Sequence, residues 1–336
     1  MTVHLTGLGL ALPEETITGA TIADRSGIPE SVVTEKMGVR QKHVAGSDEQ
    51  PSDLCVSAAR DALDDAGVDP ETINLVRYHG SELKDHVVWS LAADVADRVG
   101  ATNAYASESY ALCAGAPIAL RETKAQIETD GIERALLVSA SREEDLVDYD
   151  DPDTSFMFNF GSGASAMVLE ADADDRALAT VRESAALTDG SFSRDVIVPA
   201  GGTEQPPSRA TVEQGLHSLR VPDHESMKAR LAEVSLSNFR TVAEDALERS
   251  GYDSESVDFA AITHMKRSFH DHLCDQFGLG ARQHLYLDEY GHVQSVDQAI
   301  ATSEARERGW LDAGDVVLFL AAGTGYTWAA TVLQWL

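Results

Sequence analysis

The sequence predicts an α/β fold made of two related halves, with strands buried between layers of helix. Three observations predict it: an internal repeat, the texture of the strands and the supply of apolar residues. A shift of 184 residues aligns Ala59, Asp61, Ala62, Leu63, Gly67, Asp69 and Glu71 with Ala243, Asp245, Ala246, Leu247, Gly251, Asp253 and Glu255, seven identities in thirteen positions. Each copy reads as an amphipathic helix, a glycine stop, an acidic turn and an apolar strand, at 73–78 in the first and 257–262 in the second. Downstream, a strand at 135–138 is echoed at 315–320, and each leads through a glycine-containing turn into a further strand, at 165–170 and 328–334. These runs are almost continuously apolar, as strands covered on both faces are. With 43% hydrophobic residues in 336, the chain holds enough apolar material for one large core or two fused ones.

In chain order, residues 1–170 form the first half, 171–225 a connection and loop, and 226–336 the second half. The middle stretch contains Asp172-Ala173-Asp174-Asp175, Gly201-Gly202 and Pro206-Pro207, which are breakers and solvated residues rather than core. Two such halves place a site where they meet.

Acidic residues number 56 against 26 basic ones, a formal charge of −30. Such a surface repels nucleic acid and anionic membrane, which excludes both as partners. Only six of the basic residues are lysines, at 36, 42, 84, 124, 228 and 266. Excess carboxylate with scarce lysine fits the cytoplasm of a halophile, where dense salt screens the self-repulsion; dilution should loosen the fold. Cys55, Cys113 and Cys274 are too few and too odd in number for a disulfide framework, which fits a reducing compartment. No basic segment precedes the first apolar stretch, and nowhere do eighteen apolar residues run together, so neither a signal peptide nor a membrane span is expected.

Cys113 lies in Tyr110-Ala111-Leu112-Cys113-Ala114-Gly115-Ala116-Pro117, between an extended run at 104–106 and a helical pattern through Ile118, Leu120 and Ile127. A thiol heading a helix meets backbone N–H groups and the positive end of the dipole, both of which favour thiolate, and the small neighbours leave room for an acyl group. His264 closes the strand 259–263, an end where α/β folds build sites. His292, in Tyr290-Gly291-His292-Val293-Gln294-Ser295, precedes the helix of Val296, Ala299 and Ile300 and stands as the second-half counterpart of the Cys113 position. His270 and Cys274 share a helix face at i, i+4 in His270-Asp271-His272-Leu273-Cys274, but no third or fourth ligand is evident beside them. No metal is assigned there: Cys274 is read as core and the histidines as partly exposed.

These segments carry a resemblance to the thiolase-superfamily condensing enzymes, most of all to β-ketoacyl synthase III, over essentially the whole chain. Gly38-Val39-Arg40 is similar to the family's early G-I-R, and Ala111-Leu112-Cys113-Ala114-Gly115 resembles its A-A-C-[SA]-G nucleophile motif. Phe160-Gly161-Ser162-Gly163-Ala164-Ser165-Ala166 resembles F-G-D-G-A-G-A with serine for aspartate, and Gly323-Thr324-Gly325-Tyr326-Thr327-Trp328-Ala329-Ala330 the closing G-x-G-x-x-W-G-A. Two segments depart. The family's H-Q-A-N is His264-Met265-Lys266-Arg267, and its G-N-T-S is Gly291-His292-Val293-Gln294, so Cys-His-Asn becomes Cys113, His264 and His292, a set more like that of the elongating synthases. Glu82, after Gly80-Ser81, resembles the acid/base glutamate of hydroxymethylglutaryl-CoA synthase.

The resemblance implies a duplicated thiolase-like fold, a layered αβαβα sandwich, and an acyltransferase of class EC 2.3.1 working as a homodimer. Cys113 would carry the acyl group, with oxyanion donors at the backbone of Cys113 and Gly325. A malonyl-type thioester would lose CO2, its enolate held by His264 and His292, to give a 3-oxoacyl thioester. Because a histidine titrates near neutrality where asparagine does not, the second step should be strongly pH-dependent. Glu82 would instead support aldol condensation without CO2 release; simple acyl transfer and a noncatalytic partner subunit are further readings. No tightly bound cofactor is implied. The substrates are thioesters of CoA or an acyl carrier, with CoA favoured because an acidic carrier would be repelled. Arg40, Lys42, Lys266 and Arg267 are candidate phosphate contacts.

Overall fold

The computed structural model describes residues 1–173 and 176–336; Asp174 and Asp175 of the acidic breaker run lie outside the described residues. The first half contains β1 (Val3–Ala11), the hairpin β2 (Thr16–Thr18) and β3 (Gln41–His43) with α1 (Gly19–Ser26) between them, then α2 (Pro51–Ala66), β4 (Leu75–Tyr78), α3 (Leu91–Val99), β5 (Tyr105–Glu108), α4 (Gly115–Asp130), β6 (Arg134–Ser141) and β7 (Gly163–Ala171). The second contains β8 (Ala179–Thr188), α5 (Arg209–Glu213), α6 (His224–Ser250), β9 (Phe259–Ile262), α7 (Arg267–Gln276), α8 (Asp297–Glu307), β10 (Val316–Gly323) and β11 (Thr327–Trp335).

The repeated segments fold alike for a local reason. Helix α2 begins with Pro51 at its first turn and Asp53 bonded back to the Gln50 amide, and ends at Gly67 in the left-handed region (φ 62°). Helix α6 ends the same way at Gly251 (φ 84°). Asp69 and Asp253 then cap the short turns that follow, each accepting from a backbone N–H, before β4 and β9 begin.

Nine strands join in the order β5-β4-β6-β7-β1-β8-β11-β10-β9. The seam between halves is thin, since β1 meets β8 through only two residue pairs, His4 with Thr180 and Leu5 with Ala179. Within each half the repeated strands pair alike: β4 is parallel to β6 and β6 antiparallel to β7, as β9 is parallel to β10 and β10 antiparallel to β11. Helices α4 and α8 fill the space between halves, where Leu120 and Ile300 share one core with Leu137 and Phe319. Helices α2 and α3 cover the outer face of the first half, and α6 and α7 that of the second. The result is the expected five-layer αβαβα sandwich. Alternate residues of β6, Leu136 against Leu137, point into different cores, which is why the strands carry no polar alternation.

Close packing of α2 on β1 needs two glycines: a Cβ at Gly7 or Gly9 would sit 2.1 Å from a carbonyl oxygen of Ala62 or Ala58. The stretch 171–225, expected as connection and loop, instead supplies β8, a ten-residue strand of the second half. Its small and charged residues, Ala-Thr-Val-Arg-Glu-Ser-Ala-Ala-Leu-Thr, hide a strand whose buried positions are filled by alanine, valine, threonine and serine. Among the described residues no helix is long and apolar enough to cross a membrane.

Candidate active site

Cys113 sits in a 3-10 turn, Leu112–Ala114, at the head of the central helix α4, and its predecessor Leu112 is held at φ 48°. The head of the other central helix is built the same way, by the 3-10 turn Gln294–Val296 with Gln294 at φ 54°. Matching these turns makes Ser295 the backbone counterpart of Cys113, which corrects the assignment of His292 to that place. Ser295 is structural: its hydroxyl meets that of Ser139 (2.6 Å) and donates to His79 O (3.1 Å). His292 stands three residues earlier and reaches across. A Cβ on Gly323 of β10 would lie 3.1 Å from Cys113 N and 2.3 Å from Ala111 O, so only glycine lets that strand approach the cysteine turn.

His292 Nε2 lies 3.0 Å from Cys113 Sγ, and its Nδ1 lies 2.6 Å from Asp297 Oδ2. A carboxylate only accepts, so Nδ1 carries a proton and Nε2 is turned toward the sulfur. Asp297, fully buried in the first turn of α8, also accepts the backbone N–H of His264 (2.7 Å) and of Val293 (2.7 Å). One carboxylate thus ties down both histidine segments. Burial alone would depress the His292 pKa, but the Asp297 carboxylate and the Cys113 sulfur beside it hold it well above the usual histidine range. The arrangement can take the thiol proton and keep it.

The His264 ring is held differently. It is buried against Tyr286, 4.8 Å between centroids, and neither ring nitrogen has a hydrogen-bond partner among the described residues. Burial, with the neighbouring His292, His270 and Arg267, drives its pKa well below the usual value, so the imidazole is neutral with one N–H to offer. The expectation of a histidine titrating near neutrality is therefore corrected: the two move from neutrality in opposite directions. The structure also separates their contacts, since both ring nitrogens of His292 are engaged while those of His264 meet no partner among the described residues.

Cys113, His264 and His292 line one cavity of about 450 Å³, whose walls include Phe160, Met227 and Trp328. It adjoins an outer groove of about 610 Å³, sharing Met37, Ser155, Phe156 and Lys266. Of the candidate phosphate contacts, Lys266 lines both and Arg267 the outer groove, although Arg267 is also paired to Asp288 (2.9 Å) and stacked 3.7 Å over Tyr286. Lys42 is not available to a phosphate. It points inward from β3, fully buried, and donates to Phe160 O, with its pKa lowered by burial to about 7. Arg40 lies outside both walls, paired to Asp288 (3.2 Å) and Glu289 (3.3 Å). Glu82 is exposed and lines neither cavity. Gly325 sits in the β10–β11 turn between two lining residues, Thr324 and Tyr326.

Asp297 was not singled out from sequence. Its only signal there is an acidic residue five positions after His292, at a helix start, in a chain with 56 acidic residues. A second unanticipated group is Glu143, a buried carboxyl that accepts from Ser141 Oγ; burial raises its pKa to about 7, against the pull of that hydroxyl and of His292. His270, expected at partial exposure, is buried, and the fold brings His284 beside it.

Two family models match the chain and together span more than half of it. The model described as 3-oxoacyl-[acyl-carrier-protein (ACP)] synthase III covers residues 108–190, and its C-terminal companion covers 247–335. A β-ketoacyl-[acyl-carrier-protein] synthase III of Bradyrhizobium diazoefficiens is 28% identical over 333 residues, 98% of this chain and 97% of the relative. That of Syntrophomonas wolfei is 28% identical over 336 residues, 100% of this chain and 98% of the relative. Among solved structures, the synthase III of Aquifex aeolicus superposes with a TM-score of 0.84 at 21% identity, covering 99% of this chain and 100% of that one. An OleA variant of Xanthomonas campestris, solved with lauric acid and lauroyl-CoA, gives 0.82 at 20%, covering 100% and 99%. Identities this low establish the fold alone. With the cysteine segment in the first model, both histidine segments in the second, and relatives aligned end to end, the chain belongs to the 3-oxoacyl-ACP synthase III family, acyltransferases of the thiolase superfamily of condensing enzymes.

Proposed function

We propose that the protein joins an acyl-CoA to a malonyl-type thioester by decarboxylative Claisen condensation, with Cys113 as nucleophile, His292 as its base and His264 as enolate donor. The observation that carries this is the 3.0 Å contact between Cys113 Sγ and His292 Nε2 in the wall of a cavity that His264 shares. The thiolate attacks the acyl carbonyl, the CoA thiolate leaves with the proton held on His292, and an acyl-cysteine remains. The malonyl C–C bond then breaks, CO2 departs, and the enolate, its oxygen facing the His264 N–H, attacks the acyl-cysteine and expels the Cys113 thiolate. Backbone N–H groups of Cys113 and Gly325 would serve the tetrahedral oxyanion. Labelled acetyl-CoA should leave an acyl adduct on the protein, absent from Cys113→Ala, and malonyl-CoA should then release CO2 and a 3-oxoacyl product. A chain that takes no adduct would instead be the noncatalytic subunit.

The exposed position of Glu82 favours decarboxylation over aldol chemistry. Glu82→Gln is expected to keep its rate within about twofold, as surface changes away from a site usually do. A collapse of turnover with acetyl-CoA and a ketone acceptor would establish the aldol reading instead.

CoA rather than an acidic carrier protein is supported by where the scarce lysines lie. Lys36, Lys228 and Lys266, half of the six, line the groove and cavity. Lys36 and Lys266 have no carboxylate partner among the described residues, and Lys228 has Glu225 at 4.0 Å. Reversing all three to glutamate is expected to raise KM for acetyl-CoA about tenfold at low salt, with kcat changed less than about twofold and the effect shrinking in molar salt. An unmoved KM in steady-state assays would place the nucleotide elsewhere.

A homodimer is favoured by the free edge of β5, where Tyr105 is half exposed, and by Val87 and Val88, fully presented to solvent. The −30 charge favours work in the molar salt of a halophile's cytoplasm.

A further inference from the structure

Helix α7 carries His270 and Cys274 one turn apart on one face. The chain at 283–284 runs beside β9, with Ala260 N–H donating to Gln283 O (2.7 Å) and a parallel bridge between Ala260 and His284. That pairing delivers a third residue of ligating type. One donor atom from each of His270, Cys274 and His284 lies within 4.8 Å of the others, and His270 Nε2 and His284 Nδ1 are 3.1 Å apart. His270 is 1% exposed and Cys274 3%. Cys274 packs with Leu273 and Phe277 in the core of the second half.

We infer that His270, Cys274 and His284 form a metal site, outside the Cys113 cavity, for a thiophilic divalent cation of the Zn2+ type. Zinc holds imidazole nitrogens at about 2.0 Å and thiolates at about 2.3 Å in a tetrahedron, which sets nitrogen donors roughly 3.3 Å apart and nitrogen from sulfur roughly 3.5 Å. The imidazole pair, at 3.1 Å, already stands near that edge length, and the sulfur lies within 4.8 Å of a donor nitrogen on each ring. A hydrogen bond between two neutral imidazoles accounts for the 3.1 Å contact alone; it does not account for a thiol at the third corner. Zinc takes cysteine as thiolate, so binding breaks the Cys274 S–H bond, forms S–Zn and releases one proton to water. A water completes the fourth position.

None of the three residues lines the cavity of Cys113, which makes the ion a brace rather than a reagent. It would tie α7 to the segment beside β9. Between this site and the catalytic one stands Tyr286, its ring 4.9 Å from His270 and 4.8 Å from His264, its hydroxyl donating to Met265 O (2.8 Å). The brace would hold the wall from which His264 projects.

The test uses full-length protein carrying Cys113→Ala, which removes the competing thiol, stripped with chelator and titrated with Co2+ and then Zn2+. One equivalent of Co2+ should give a thiolate-to-cobalt charge-transfer band that Zn2+ bleaches, and Zn2+ should raise the melting temperature. Adding Cys274→Ser, nearly isosteric, should abolish the band, and His284→Gln, at a half-buried position, should weaken Co2+ binding about tenfold or more. No band and no thermal shift, or a band that survives Cys274→Ser in folded protein, would overturn the site.

Discussion

Asp297→Asn is expected to slow acylation of Cys113 by about 10²- to 10⁴-fold, the range seen when the carboxylate orienting a catalytic histidine becomes an amide. The cause is the tautomer. Asp297 Oδ2 accepts a hydrogen bond from the Nδ1–H of His292 and leaves Nε2 to face the sulfur at 3.0 Å. An amide NH2 in that place donates, so Nδ1 must accept, the remaining proton moves to Nε2, and the ring can no longer take a proton from the thiol. The same exchange removes the carboxylate that, with the Cys113 sulfur, holds the His292 pKa up against its burial. A structural cost follows as well, because the carboxylate accepts the backbone N–H of both His264 and Val293 and an amide offers only one oxygen. Leaving one buried N–H unmet costs about 1–3 kcal/mol. The measurement is the time course of acyl adduct by intact mass at saturating acetyl-CoA, beside a melting curve showing the variant folded. Acylation within about threefold of the parent would remove Asp297 from the mechanism.

How much of this was legible in the sequence depends on what each residue does. Gly67 and Gly251 could be read because a helix that ends in the left-handed region wants glycine, and the two ends repeat the same solution. The strands could be read because each is sandwiched between cores and must be apolar throughout. β8 could not, since its inward positions are filled by small residues that also populate loops. Cys113, His264 and His292 stood out as uncommon residues at element ends. Asp297 did not, being one carboxylate among 56, and its partners come from 33 positions upstream as well as from its own turn. Lys42 was misread for the opposite reason: it looks like any rare positive charge near a motif, while the register of a three-residue strand turns it inward. His284 was unread because only the pairing of 283–284 with β9 carries it to His270.

His264→Ala should divide the two half-reactions. Acylation is expected to stay within about threefold of the parent, whereas condensation with malonyl-CoA falls about 10²- to 10³-fold, the loss typical of one preorganised oxyanion donor. The split follows from which atoms are engaged. The His264 backbone N–H, not its ring, bonds Asp297, so truncating the side chain leaves the Cys113–His292–Asp297 chain standing. The ring nitrogens have no partner among the described residues to strand, and the change removes burial and the contact with Tyr286. In the parent the ring is neutral across the working range, because its pKa lies well below the usual histidine value and protonation comes only in acid. An enolate developing beside a neutral N–H gains a hydrogen bond that strengthens as charge builds. CO2 release from labelled malonyl-CoA, timed on enzyme already acylated, reads the second step; intact mass reads the first. Equal losses in both would mean that His264 serves the cysteine, and the division of labour between the two imidazoles would be wrong.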